Sequence, residues 1–310
     1  MTWPFAIDHA TLGVPGAEQR DDNLWRLARP VDAPAQRADV WLLALRGAAW
    51  PDPTRPGAAA CVPPGFDPGR PLDVVLYFHG HNGCVATAVG DGPAPCTHGG
   101  KVRNPSKLAL QLGDAGVNAL LLAPELKADA PTGDPGALAK PGGMKRLLDE
   151  ALGALLPALG GGPASAASIR SVLVMAHSGG YVATAAACRE LPVVRQVALL
   201  DAFYGETRTF RDWVEDRKGE LGPGPTGARF SCVYTAGGGT ADNACALAGR
   251  LQKTLPRQFV RHDDTHSTLA AADYAAQPVL FKRSALSHGD VSRYYPRHLI
   301  AAAGFDPIAG

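Results

Sequence analysis

A run of mostly apolar, partly β-branched residues, Ser171-Val172-Leu173-Val174-Met175-Ala176, leads straight into His177-Ser178-Gly179-Gly180. A helix-compatible stretch, Tyr181 to Glu190, follows at once. A serine at the apex of a strand–turn–helix is built for nucleophilic acyl transfer, because the sharp turn lifts the hydroxyl clear of the sheet end. The same turn forces neighbouring backbones together, so small residues must flank the serine. Ala176 and Gly180, two residues to either side of Ser178, are both small. Against the usual Gly-x-Ser-x-Gly pattern, Ala176 adds one methyl group. A Ser-Gly-Gly turn also joins a strand to a helix without any chemistry, so the residues that accompany it must decide.

At this elbow the chain resembles the α/β-hydrolase family, and the pattern extends over roughly residues 70 to 305. The resemblance implies an α/β fold, a mostly parallel central sheet with helices on both faces. It also gives a role to the upstream strand Val74–Phe78, which ends in His79-Gly80-His81-Asn82-Gly83. In the family, the loop after a His-Gly pair at this place supplies one donor to the oxyanion. A tetrahedral intermediate carries a negative oxygen, and two backbone N–H groups must already point at it. The expected oxyanion donors are Gly179 N–H and His81 N–H, with Asn82 N–H as the alternative to the latter. His79 and His81 also form a His-x-His pair facing one way along a strand. They could ligate a metal, but no third ligand lies nearby in the sequence. Hydrogen bonding of His79 to the loop backbone is the competing reading.

Asp201 follows the apolar run Val197–Leu200, at the carboxyl end of a strand, where open α/β sheets place their ligands. A carboxylate behind four apolar residues needs a partner, and an imidazole is a natural one. Asp242 is the rival acid, after the strand-like run 229–236 and its glycine loop. Asp201 is preferred because it abuts its strand directly, whereas Asp242 reads as a cap for the helix starting near Asn243. Two histidine clusters compete for the base. One is His262-Asp263-Asp264-Thr265-His266, also readable as a weak metal pair or a solvated polar turn. The other is His288, at the tip of a small-residue loop after the extended run from Pro278 and before a terminal helix over Tyr294–Ala303. The resemblance favours His288, because the family ends its chain as strand, histidine loop and helix. The catalytic set is then Ser178, Asp201 and His288, in the nucleophile–acid–base chain order of that family.

The chemistry expected is hydrolysis of a carboxylic ester through an acyl-enzyme, on a small-molecule or polymeric ester, with no metal or organic cofactor. An amidase or peptidase using the same three residues is the first alternative. A non-catalytic binding protein with a vestigial site is the second. Composition narrows the remaining classes. The chain has 310 residues, 46% of them apolar, and a net charge of +1. That balance offers no electrostatic footprint for nucleic acid, and no apolar stretch approaches the roughly 20 residues of a membrane span. Met1–His9 lacks the basic and long apolar regions of a leader peptide. The chain is then either cytosolic or exported with its leader already removed, and six cysteines tilt the expectation slightly toward the exported one. Cys84 and Cys96 bracket a Gly/Pro/Ala-rich loop, and Cys232 and Cys245 have a similar spacing. Both pairs are disulfide candidates, with free buried thiols as the alternative. Oligomeric state is not legible.

These residues must be held by alternating strands and helices, the α/β signature. One domain is expected over residues 1–310. Residues 1–70 should hold edge strands, including one over 38–45, followed by a Pro/Gly-dense irregular connection over 51–71. A short helix is expected over 105–112 and a buried strand over 117–124. The 3.6-residue recurrence of Met144, Leu147, Leu148, Ala151, Leu152 and Leu155 predicts an amphipathic helix ending near Pro157. Residues 203–228, holding Phe210, Trp213 and Val214 among charges, read either as a small cap over the site or as an ordinary crossover helix.

Overall fold

The computed structural model describes residues 15–50, 56–96, 102–237 and 239–309. Met1–His9, read above for a leader, lies outside them. Eleven strands form one sheet: β1 (Ala17–Asp21), β2 (Leu24–Leu27), β3 (Asp39–Leu43), β4 (Ala58–Val62), β5 (Leu72–Phe78), β8 (Ala119–Pro124), β9 (Ile169–His177), β10 (Val194–Leu200), β11 (Arg229–Thr235), β12 (Val260–Asp263) and β13 (Val279–Ser284). Two short strands, β6 (Ala94–Pro95) and β7 (Val102–Arg103), pair with each other beside it. The sheet order is β1-β2-β3-β4-β8-β5-β9-β10-β11-β13-β12. The strands from β1 to β8 in this order pair antiparallel, and those from β8 to β12 pair parallel.

The parallel strands are apolar on both faces because helices cover both. Along β5, Leu72, Val74, Leu76 and Phe78 enter one core, and Val75 and Tyr77 enter the other. Along β9 the same alternation sends Val172, Val174 and Ala176 one way and Leu173 and Met175 the other. The first core is closed by α3 (Gly143–Ala158), α4 (Tyr181–Glu190), α5 (Thr207–Asp216) and α6 (Ala241–Thr254). The second is closed by α1 (Val85–Val89), α2 (Leu108–Ala115), α7 (Ala271–Ala276), α8 (Val291–Tyr294) and α9 (Pro296–Ala302). In α3 the residues expected to face inward are all buried. The terminal helix is two pieces, divided ahead of Pro296, whose ring removes a backbone donor.

The N-terminal part departs from expectation. The stretch read as an irregular connection contains β4, whose five residues Ala-Ala-Ala-Cys-Val are fully enclosed between β3 and β8. Alanine carries little strand preference, so the flanking prolines and glycines dominated the local signal. β3 therefore lies inside the sheet, and β1 is the edge. Residues 203–228 carry α5, with Phe210, Trp213 and Val214 buried in the first core beside α4 and α6.

Cys84 and Cys96 are joined by a disulfide. The other candidate pair is not: Cys232 points from β11 into the helix-covered core, while Cys245 is exposed on α6. Both thiols are free. No helix among the described residues is long and apolar enough to cross a membrane.

Candidate active site

Ser178 sits at the end of β9 with φ +54°, in the left-handed region that a non-glycine residue enters at a cost of roughly 1–2 kcal/mol. The cost is sustained by close packing on every side. A Cβ on Gly180 would lie 2.5 Å from Phe78 O, and one on Gly179 would lie 2.4 Å from Pro131 O. A Cβ on Gly80 would come within 2.6 Å of Ser178 Cβ and 2.7 Å of Gly179 N. The elbow thus tolerates no side chain at three adjoining backbone crossings. Ala176 is one place removed from this crowding, and its methyl packs into the first core.

His288 lies in the loop after β13. Its Nε2 is 3.0 Å from Ser178 Oγ, and its Nδ1 is 2.7 Å from Asp201 Oδ2. Asp201 is wholly buried just beyond β10 and also adopts a positive φ, +45°. It accepts three further hydrogen bonds: from Thr235 N–H at 3.0 Å, from Thr235 Oγ1 at 2.7 Å and from Thr240 Oγ1. Burial alone would raise its carboxyl, but His288, Thr235 and Thr240 outweigh it and hold the group below the usual carboxylate range. An ionised acid with this many donors fixes the imidazole with Nδ1 protonated and Nε2 free to accept.

Of the two candidate donors after β5, Asn82 N–H is already spent on Ala128 O at 2.6 Å. His81 lines the cleft beside Ser178. His79 is buried, and its Nε2 accepts from Leu126 N–H at 2.9 Å while Nδ1 lies 3.1 Å from Gly80 O. Its ring therefore ties the loop to the backbone just beyond β8, the non-metal reading of the His-x-His pair. Among the described residues no group of three His, Cys, Asp or Glu side chains is placed to hold a metal ion.

The rivals go elsewhere. Asp242 lies in the first turn of α6, whose N-cap is Thr240. His266 is exposed in the loop after β12. His262 belongs to β12 itself, with Nε2 2.7 Å from Tyr234 Oη, rather than to a solvated turn. Its neighbour Asp263 instead pairs with the buried Lys282 of β13 at 3.2 Å.

Thr235, Thr240 and His177 escaped the sequence reading. Thr235 and Thr240 end β11 and cap α6, and only the parallel pairing of β10 with β11 brings them to Asp201. His177, next to the serine, contacts the His288 backbone oxygen through Nε2 at 2.8 Å and lies against its ring at 4.7 Å. Burial, with the nearby His288, pushes His177 down to about 4, so it is neutral and donates to that carbonyl. The one available signal was its position at the strand end, beside the serine. Tyr204 lies edge-on to His288 at 6.4 Å.

The strand order, the serine elbow between β9 and α4, and the strand-end acid and histidine make this an α/β-hydrolase fold. No protein-family model matches the chain, and no curated protein does. Among solved structures it is similar to a feruloyl esterase module from Clostridium thermocellum, with 13% identity and a TM-score of 0.48 over 79% of this chain and 82% of that one. It is similar to an S-formylglutathione hydrolase from Agrobacterium tumefaciens, with 12% identity and a TM-score of 0.44 over 96% and 99%. An esterase from Mycobacterium marinum gives 14% identity and a TM-score of 0.39 over 82% and 80%. The fold assignment rests on the strand order and the elbow.

Proposed function

We propose that the protein is a serine hydrolase that cleaves carboxylic esters through an acyl-enzyme. The observation carrying this reading is the unbroken hydrogen-bonded chain from Ser178 Oγ through His288 to a buried, ionised Asp201. In the first step the Ser178 proton passes to His288 Nε2 as Oγ bonds to the ester carbonyl carbon. The carbonyl electron pair moves onto oxygen, where Gly179 N–H and His81 N–H receive it. The intermediate collapses, the bond to the alcohol oxygen breaks, and the imidazolium returns its proton to that oxygen. Water then repeats the sequence on the acyl-enzyme and releases the acid. Asp201 holds the imidazole in its tautomer and stabilises the cation.

The test is a panel of p-nitrophenyl esters of graded acyl length, set beside a p-nitroanilide. Ester turnover that Ser178→Ala abolishes without changing the melting temperature supports the reading. Ester turnover retained by Ser178→Ala contradicts it.

A further inference from the structure

The cleft over Ser178 has a volume of about 500 Å³. Ala88, Val102 and the Tyr77 ring are its apolar side chains, and hydroxyl, imidazole and amide groups line much of the rest. Its floor is a buried hydroxyl network. Tyr77 Oη lies 3.4 Å from Ser106 Oγ, which donates to Ser292 Oγ at 3.0 Å. Two charged groups face the space, and they differ. Asp290 is already engaged, accepting from Ser287 Oγ at 2.5 Å and pairing with Arg293 at 3.3 Å. Arg103 is exposed, and among the described residues its guanidinium has no ion pair and no hydrogen bond. Its field reaches the strand-end histidine, since Arg103 is one of the charges acting on His177.

Arg103 is also well anchored. It belongs to β7, which pairs with β6, and Cys96 directly follows β6. The disulfide joins Cys96 to Cys84, the N-cap of α1, immediately after the His79–Gly83 turn. The disulfide therefore ties the strand that pairs with β7 to the end of the turn that carries His81.

We infer that Arg103 binds an anionic substituent on the substrate, making the preferred substrates polar esters with a carboxylate or similar anion rather than neutral acyl esters. This rests on the esterase reading of the site. A guanidinium offers a carboxylate two parallel N–H donors, and a cleft with polar walls gives up little by admitting such a group.

The experiment compares kcat/KM for mono-p-nitrophenyl adipate with that for p-nitrophenyl hexanoate, its neutral counterpart of equal chain length. A second arm compares carboxyphenyl butyrate with phenyl butyrate, placing the anion on the alcohol side. In one of the two arms the anionic ester should be favoured about tenfold at low salt, the scale of a partly solvated charge-assisted contact. That preference should fall as salt is raised. Arg103→Lys should keep only part of the ratio, because an ammonium lacks the paired donors, and Arg103→Gln should bring it near one. Ratios near one in both arms of the parent protein, with the neutral esters still cleaved, overturn the Arg103 assignment and leave the esterase reading standing. So does a preference that Arg103→Gln leaves unaltered. Failure to cleave any ester overturns both.

Discussion

Replacing Asp201 with Asn is the perturbation whose effect the geometry fixes most tightly. Every recorded contact of the carboxylate is with a donor: Thr235 N–H and Thr240 Oγ1 at Oδ1, and Thr235 Oγ1 and His288 Nδ1 at Oδ2. The Thr235 N–H is backbone and cannot turn away. The amide oxygen of Asn must therefore take the Oδ1 place, which puts the amide NH₂ against His288 Nδ1. That nitrogen must then accept, and the imidazole proton moves to Nε2, facing Ser178. A base with its accepting position protonated cannot take the serine proton. In serine hydrolases generally, this tautomer change costs about 10⁴ in kcat, or roughly 5 kcal/mol of transition-state stabilisation. The fold should survive, because the shape is kept, Thr240 Oγ1 still donates to the amide oxygen, and the Thr235 hydroxyl can rotate to accept from the NH₂. The assay is initial rates on p-nitrophenyl butyrate near neutral pH, with a thermal melt alongside. A loss of less than tenfold in a folded Asp201→Asn protein would refute the reasoning.

Gly80→Ala should lower kcat/KM on p-nitrophenyl esters by on the order of 10²–10³, because its methyl meets Ser178 and Gly179 N, whereas Gly162→Ala, with open space around it, should change nothing. The neutral His177 links stability to pH. Its value in the folded protein, about 4, lies below the ordinary 6.5, so between them the unfolded chain binds the extra proton and stability falls as pH drops through that window. The loss is at most ~3 kcal/mol, read as the urea midpoint between pH 7 and 4.5, and His177→Gln should remove this part of the slope. Lys282→Met should cost about 3 kcal/mol in denaturant unfolding, because it strands a buried Asp263 that keeps only Arg261 as a cation. Adding Asp263→Leu should recover most of that cost.

The parallel half of the fold was legible because helices on both faces demand near-continuous apolar strands, and β5, β8, β9 and β10 all read that way. Ser178 was legible because its turn needs small residues at fixed offsets. Asp201 stood out because a carboxylate directly behind an apolar strand needs a partner. Choosing His288 over His266 drew on the family resemblance, since both follow short strands. The alanine-rich β4 and the half-exposed, polar β1 left almost no periodic signal. The threonine donors to Asp201 were hidden for a different reason. Thr235 and Thr240 lie 34 and 39 residues away in the chain and meet the acid only through strand pairing and the start of α6. Likewise, the hydrogen bond from Asn82 N–H to Ala128 O joins residues 46 apart in the chain and left no local signal.

On the proposed reading, Ser178 is a nucleophile activated by His288. Incubation with a fluorophosphonate probe, followed by peptide mass spectrometry, tests it without any assumption about substrate. One covalent adduct is expected, on Ser178, and it should form at least 10²-fold more slowly in His288→Ala, a typical share for a lost general base. A folded protein that stays unlabelled, or takes the probe on a different residue, would contradict it.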